Sequence, residues 1–257
     1  LGKTTLARII AHELGVSFEE ITGKMLGSVK EVKYKLLTLT PRDILFIDEI
    51  HSLRRDVLEL LYSPLQDFRF GEYDLNPFTL IGATTHMGKL PKPLRDRIVH
   101  AFEFMLYKED EISRILLNHG VEKSVADFIA QRSKGVPRLA AIRYLSSAMS
   151  YAHANKTQAI TIEHCAEMFS DLAIDNIGLD RRERFFLRYM AEEHAIDGTS
   201  AIGQDTIAKS MGVPADDYLH IIEPFLLVQG FIKRTGRGRI LTKKGFEYAR
   251  GLEDEPT

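Results

Sequence analysis

The run Ile44-Leu45-Phe46-Ile47-Asp48-Glu49-Ile50-His51 restricts the fold more than any other stretch, because four consecutive large apolar residues end in two adjacent carboxylates. A strand that is apolar on both faces belongs inside a parallel sheet covered by helices. Open α/β sheets place their ligands at the carboxyl ends of their strands, where Asp48 and Glu49 project. Neighbouring strand residues face opposite ways, so one acid can hold a hydrated Mg²⁺ while the next orients and deprotonates water. The same pair also suits a strand that runs out into solvent.

The opening Leu1-Gly2-Lys3-Thr4-Thr5 bears on that choice. It reads as the second half of a phosphate-binding loop, in which backbone N–H groups cradle phosphate, a lysine reaches the terminal oxygens and a hydroxyl binds Mg²⁺. Gly2, Lys3, Thr4 and Thr5 are the candidates for nucleotide binding, with Thr4 and Asp48 as metal ligands. The helix that follows carries Leu6, Ile9, Ile10 and Leu14 at helical spacing and stops at Gly15, so its positive end points at the phosphates. Gly-Lys-Thr by itself also fits a capped surface helix. A following helix and an apolar strand ending Asp-Glu favour the phosphate loop. The loop's first glycine and preceding strand would lie before Leu1, so the sequence is expected to be a fragment.

A chain of 257 residues with net charge −2 suggests two or three domains and carries no global signal for polyanions. DNA contact would have to come from a local patch. Cys165, the one cysteine, excludes an intrachain disulfide or a Cys-based zinc site and agrees with a cytoplasmic location. No apolar run is long enough to span a bilayer.

Further along, Val16 to Ile21 reads as a strand, Val29 to Leu39 as a helix, and Ser52 to Leu65 as one amphipathic helix. Asp67 to Tyr73 alternates and turns at Gly71, which suggests a small hairpin. Phe78 to Ala83 is another buried strand, ending in Thr84-Thr85, and Pro91 to Arg97 starts a turn of helix carrying two arginines. From about Leu106 the periodicity is helical: Asp110 to Asn118, Ser124 to Ser133, Pro137 to about Ala154, and a helix capped by Thr161 that runs through Leu172. Arg138, in the first turn after Pro137, opposes the helix dipole and invites an anionic partner, although a solvated surface arginine fits as well.

Ala173 to Asp180 reads as a linker. Helices over Arg181 to Glu192, Gln204 to Met211 and Asp216 to Gln229 then precede Phe231 to Thr235 and Ile240 to Thr242, which flank Gly236-Arg237-Gly238-Arg239. Three helices and a basic glycine hairpin make a winged helix. Between Phe225 and Arg250 stand Lys233, Arg234, Arg237, Arg239, Lys243, Lys244 and Arg250 against one acid, Glu247. That is a phosphate footprint suited to DNA, with a protein-contact surface as the other reading.

With these residues in view, the chain resembles the RuvB family of Holliday-junction branch-migration motors over essentially its whole length. The match rests on Leu1 to Thr5, Leu45 to His51, Pro77 to Thr85, Pro93 to Arg97, Gly135 to Arg138 and Gln229 to Arg239. The resemblance implies an α/β P-loop AAA+ ATPase core over 1–105, an all-helical lid over 106–175 and a C-terminal winged-helix domain over 176–257. It implies Lys3 and Thr4 as Walker A, Asp48 and Glu49 as Walker B, Thr85 as sensor one, Arg97 as an arginine finger acting on a neighbour, and Arg138 as sensor two. Lys233, Arg234, Arg237 and Arg239 would touch DNA. It further implies ATP and Mg²⁺ as ligands, duplex and junction DNA as substrate, and a homo-oligomeric ring, a hexamer. The alternative function is a DNA-bound loader or initiator that uses ATP as an assembly switch.

Two positions depart from the family pattern. Ile98-Val99 stands where Phe-Gly usually follows the finger arginine, and the hairpin between Asp67 and Pro77 is much shorter than the one that docks RuvA. A RuvA-type partner is therefore left open.

Overall fold

The computed structural model describes residues 1–197, 201–215 and 218–252. They form two compact units, Leu1–Met105 and a second from Leu106 onward.

The first unit is a parallel sheet with helices on both faces. Its elements are α1 (Lys3–Leu14), β1 (Phe18–Thr22), α2 (Val29–Thr38), β2 (Ile44–Asp48), α3 (Arg55–Leu60), α4 (Tyr62–Asp67), β3 (Arg69–Phe70), β4 (Tyr73–Asp74), β5 (Thr79–Gly82) and α5 (Lys92–Arg95). The strand order is β1-β2-β5, all parallel, with Phe18 opposite Ile44 and Ile44 opposite Thr79. The central position of β2 explains its four apolar residues. Leu45 and Ile47 pack with Leu36, Val57 and Leu94 on one face. Phe46 packs with Ala7 of α1 and Ala83 on the other.

The single helix expected over Ser52 to Leu65 is broken into α3 and α4. Pro64 has no N–H to offer the carbonyl of Leu60, four residues back, and its ring crowds that carbonyl. The helix accordingly stops at Leu60 and restarts at Tyr62. In the short hairpin, Phe68 and Phe70 pack against the core, while Tyr73 stays exposed with Lys33 Nζ 3.7 Å from its ring centroid.

The second unit holds two hydrophobic cores. The helices α6 (Glu109–Leu117), α7 (Lys123–Arg132), α8 (Leu145–Ala154) and α9 (Ile162–Asp171) surround Ile112, Ile129, Tyr144, Met168 and Phe169. The segment Leu139–Tyr144 that leads into α8 is wound as a π-helix, which nothing in its sequence announces. The Thr161 hydroxyl caps α9 by accepting the His164 N–H at 3.4 Å. Cys165 is fully buried here, and burial pushes its thiol up to about 11, so it is chemically quiet.

The other core gathers Phe186, Leu187, Ile207, Tyr218, Leu226 and Ile232. Its elements are α10 (Arg181–Asp197), α11 (Gln204–Met211), a π-turn over Tyr218–Ile222, α12 (Glu223–Val228), β6 (Ile232–Thr235), β7 (Gly238–Leu241) and α13 (Lys243–Gly251). The helix start expected at Asp216 lies outside the described residues. β6 and β7 pair antiparallel, and Ile202 bridges to Arg239 beside them.

The stretch expected to be a plain linker, residues 173–180, is a bonded joint. Asp175 Oδ1 accepts the N–H groups of Ile177 and Leu179 at 3.0 and 2.8 Å. Arg184 Nη1 donates to the carbonyls of Ala173 and Leu179, each at 2.9 Å. Lys134 and Glu183 form a buried ion pair beside it. Gly178, at φ 90°, lies so close that an added Cβ would stand 2.4 Å from the Arg132 carbonyl oxygen. No helix among the described residues is long and apolar enough to cross a membrane.

Candidate functional site

Gly2 sits at φ 93°, a left-handed conformation, and turns the chain into α1 so that the first helical N–H groups open toward whatever lies before them. Lys3 Nζ donates to the Thr84 carbonyl at 3.0 Å, which ties the loop to the end of β5. Thr4 is half-buried and Thr5 exposed at the same helix start.

The expectation that Asp48 and Glu49 diverge by strand alternation is corrected. β2 ends at Asp48, and Glu49 lies off the strand at φ 48°, ψ 49°. For a residue with a Cβ that conformation costs roughly 1–2 kcal/mol. It is held by its surroundings: Ile50 N–H donates to the Ala83 carbonyl at 2.9 Å, and Ser52 N–H to the Glu49 carbonyl at 2.7 Å. Gly23 lies against the same turn, where a Cβ would meet the Glu49 carbonyl oxygen at 2.7 Å. Strain of this kind gathers where a side chain must be aimed.

The Glu49 carboxylate accepts a hydrogen bond and lies beside a histidine ring. Thr85 Oγ1 donates to Oε2 at 3.1 Å, and His51 Nδ1 lies 3.0 Å from the same oxygen. His51 Nδ1 is also 2.8 Å from Thr84 Oγ1, and that oxygen accepts the His86 N–H at 2.9 Å. The His86 Nδ1 lies 2.8 Å from Thr85 Oγ1, and the two imidazole rings stand 4.6 Å apart. Asp48 Oδ1 accepts the Glu49 N–H at 3.0 Å. Of these residues, Lys3, Asp48, Glu49 and the strand end Thr84-Thr85 were legible in the sequence. The part played by the two histidines was not, although His51 stands only two residues beyond Glu49.

Thr4 and Asp48 offer a hydroxyl and a carboxylate oxygen. Such hard donors suit Mg²⁺, which keeps few protein ligands and fills its shell with water and phosphate oxygens.

Arg97 does not project freely. Its Nη1 donates to the Pro93 carbonyl at 2.8 Å, its Nη2 to Gln66 Oε1 at 3.1 Å, and its guanidinium lies 5.0 Å from the Tyr62 ring centroid. Its Nε is buried without a hydrogen-bond partner. Arg138 is exposed at the entry to the π-helical segment.

In the basic hairpin, the four expected DNA-facing cations divide. Lys233 and Arg237 are exposed. Arg239 is tied into the fold: its side chain is 13% exposed, and its Nε and Nη2 donate to Glu223 Oε1 and Oε2 at 2.7 and 3.1 Å. Arg234 gives the same carboxylate two more hydrogen bonds, at 2.9 and 3.0 Å, while keeping over half of its side chain in solvent. Burial alone would raise the Glu223 carboxyl. The hydrogen bonds from Arg234 and Arg239 outweigh it and hold that group below the ordinary glutamate value. Glu223 raises both guanidinium groups in return. A carboxylate removed from water needs such partners, so Arg239 serves the fold before it can serve a ligand.

The family described as the Holliday junction DNA helicase RuvB P-loop domain matches residues 1–104, and that of the RuvB C-terminal winged helix domain matches residues 176–250. The Holliday junction branch migration complex subunit RuvB of Thermosipho melanesiensis is 39% identical over 278 residues, covering 99% of this chain and 88% of that protein. Its counterpart from Ehrlichia ruminantium is 37% identical over 266 residues, covering 96% and 78%. The structure of the Thermotoga maritima RuvB Holliday junction branch migration motor superposes with a TM-score of 0.84 at 38% identity, covering 97% of this chain and 84% of the other. Cdc6p of Pyrobaculum aerophilum shares the fold alone, with a TM-score of 0.54 at 18% identity.

Proposed function

The chain belongs to the RuvB family, and from that premise we propose that it is an ATP-driven motor that moves duplex DNA during Holliday-junction branch migration. The observation that carries the chemistry is the hydrogen bond from Thr85 to Glu49, with His51 close to the same oxygen, where the carboxyl ends of β2 and β5 meet. That position and residue set support hydrolysis of a terminal phosphoryl group.

In this reading the N–H groups that follow Gly2, together with the Lys3 ammonium, hold the β- and γ-phosphates. Glu49 takes a proton from the attacking water, and Thr85 orients that carboxylate. Mg²⁺, held by Thr4 and Asp48, would neutralise charge on the phosphate oxygens when bound. Arg97 serves a neighbouring subunit's nucleotide in a homo-oligomeric ring, a hexamer, once it lets go of Gln66 and Pro93. Arg138 senses the γ-phosphate. Residues 1–105 act as ATPase core, 106–175 as lid and 176–257 as winged helix. Lys233 and Arg237 are the cations that first meet duplex and junction DNA. The site of action is the cytoplasm. The hairpin at 67–76 offers one exposed aromatic ring, Tyr73, too little for a docking arm, so a RuvA-type partner binds weakly or not at all.

Steady-state hydrolysis and nucleotide binding test the assignment together. Glu49→Gln keeps the shape of the side chain and removes the base, so turnover should fall about a hundredfold or more while ATP still binds. Wild-type turnover by Glu49→Gln would remove Glu49 from that role.

A further inference from the structure

Arg97 is held against its own subunit by neutral groups alone. Tyr62 and Gln66 stand four residues apart on α4 and so share one face of that helix. The Gln66 side-chain oxygen accepts Arg97 Nη2 at 3.1 Å, and the Tyr62 ring centroid lies 5.0 Å from the guanidinium. The Pro93 carbonyl, four residues before Arg97, accepts Nη1 at 2.8 Å. An amide, a carbonyl and an aromatic face all attract a cation, but none of them carries a charge. Among the described residues no carboxylate pairs with Arg97, although Asp96 is its neighbour in the chain and Asp67 is the neighbour of Gln66. Arg239 shows the other kind of hold, two hydrogen bonds to the buried Glu223 carboxylate. The Arg97 Nε, moreover, is buried without a hydrogen-bond partner. A buried donor left unpaired is costly, so the pose is one that a better ligand displaces. Phosphate is such a ligand, because its charged oxygens accept a guanidinium in pairs.

We propose that Gln66 is a positioning residue for the arginine finger: with Tyr62 it keeps Arg97 stowed on its own subunit, and its neutral amide yields the guanidinium when a neighbour's nucleotide brings phosphate oxygens. The inference rests on Arg97 acting in trans. Gln66 touches no substrate and works only through where Arg97 rests. The neutrality of the amide is what matters. A carboxylate in its place would make the hold charge-assisted and about twice as strong. Fewer fingers would then be free to reach the neighbour, and turnover would fall with that fraction. Removing the amide altogether leaves the finger free to swing.

Steady-state hydrolysis is compared for wild type, Arg97→Ala, Gln66→Ala and Gln66→Glu. Gln66→Glu should lower kcat about tenfold or more with KM close to wild type, while Gln66→Ala stays at or above wild type. Mixed assemblies then locate the effect. Arg97→Ala subunits keep a working phosphate loop and Lys3→Ala subunits keep a working finger, so a mixture should regain activity at the interfaces that join the two. Adding Gln66→Glu to the Lys3→Ala subunits, which supply the finger, should reduce the regained activity, and adding it to the Arg97→Ala subunits should not. Equal reduction in both placements would make Gln66 a merely structural residue and overturn the proposal. A tenfold loss in Gln66→Ala would overturn it as well, since the amide would then be needed in the working pose. Wild-type kcat in Gln66→Glu, beside an inactive Arg97→Ala, would overturn the stowing role and leave the finger in place. Full turnover by Arg97→Ala, or no activity regained on mixing, would remove the trans finger and the inference with it.

Discussion

Arg237 and Arg239 stand two positions apart in one basic turn, yet their surroundings give them different work. Arg237 is exposed on the hairpin, and Arg239 is committed to a fully buried carboxylate. Arg237→Ala should therefore weaken binding to every DNA sequence alike, flatten the salt dependence of log K by about one unit, and leave the melting temperature alone. Arg239→Ala strands Glu223 without its more buried partner, and should cost about 3 kcal/mol of stability before any effect on DNA is seen. Salt titrations and denaturant melts of the two variants check this, and matching profiles would refute the division. Composition showed that cations cluster here but could not say which of them were spoken for, because Glu223 lies sixteen residues away on α12. The same limit hid His51, whose partner Thr84 is thirty-three residues distant. Asp48 and Glu49 were legible because an apolar strand ending in acids is a local pattern.

At the scale of elements, β6 and β7 are fastened to α12 through Glu223, and that fastening depends on pH. The folded protein holds the Glu223 carboxyl below its ordinary value. Its contribution to stability is thus fully present above the unfolded value of about 4.3 and is lost as pH falls through the folded value. The stability gap between wild type and Glu223→Gln should be wide at neutral pH and should narrow on acidification below about 4. Urea melts across that range measure it, and a gap that stays constant would mean that the ion pair contributes little. Elements whose cause is local were readable beforehand: α11 ends at Gly212 and α9 starts at Thr161 as the caps dictate. The π-turns before α8 and α12 have no such local signal. The bonded joint over residues 173–180 is local only in part: Asp175 bonds within the stretch, whereas Lys134 comes to Glu183 beside it from far along the chain.

Taken whole, the molecule pairs a phosphate loop and a strained glutamate held by Thr85 with a winged helix whose exposed cations include Lys233 and Arg237. A fold of this kind can use ATP in two ways, as fuel for moving DNA or as a switch for assembling on it. The family to which the chain belongs favours movement. The choice turns on whether hydrolysis at Glu49 is converted into displacement of the duplex. The decisive measurement is strand exchange on a labelled synthetic four-way junction, followed in time with ATP, without ATP and with Glu49→Gln, each alone and with a RuvA-type protein. The account predicts that wild type with ATP resolves the junction arms, whereas Glu49→Gln binds the same DNA and ATP and leaves the arms in place. Steady ATP hydrolysis on the junction by wild type, with no exchange in either setting, would contradict the motor and return the protein to the role of a loader.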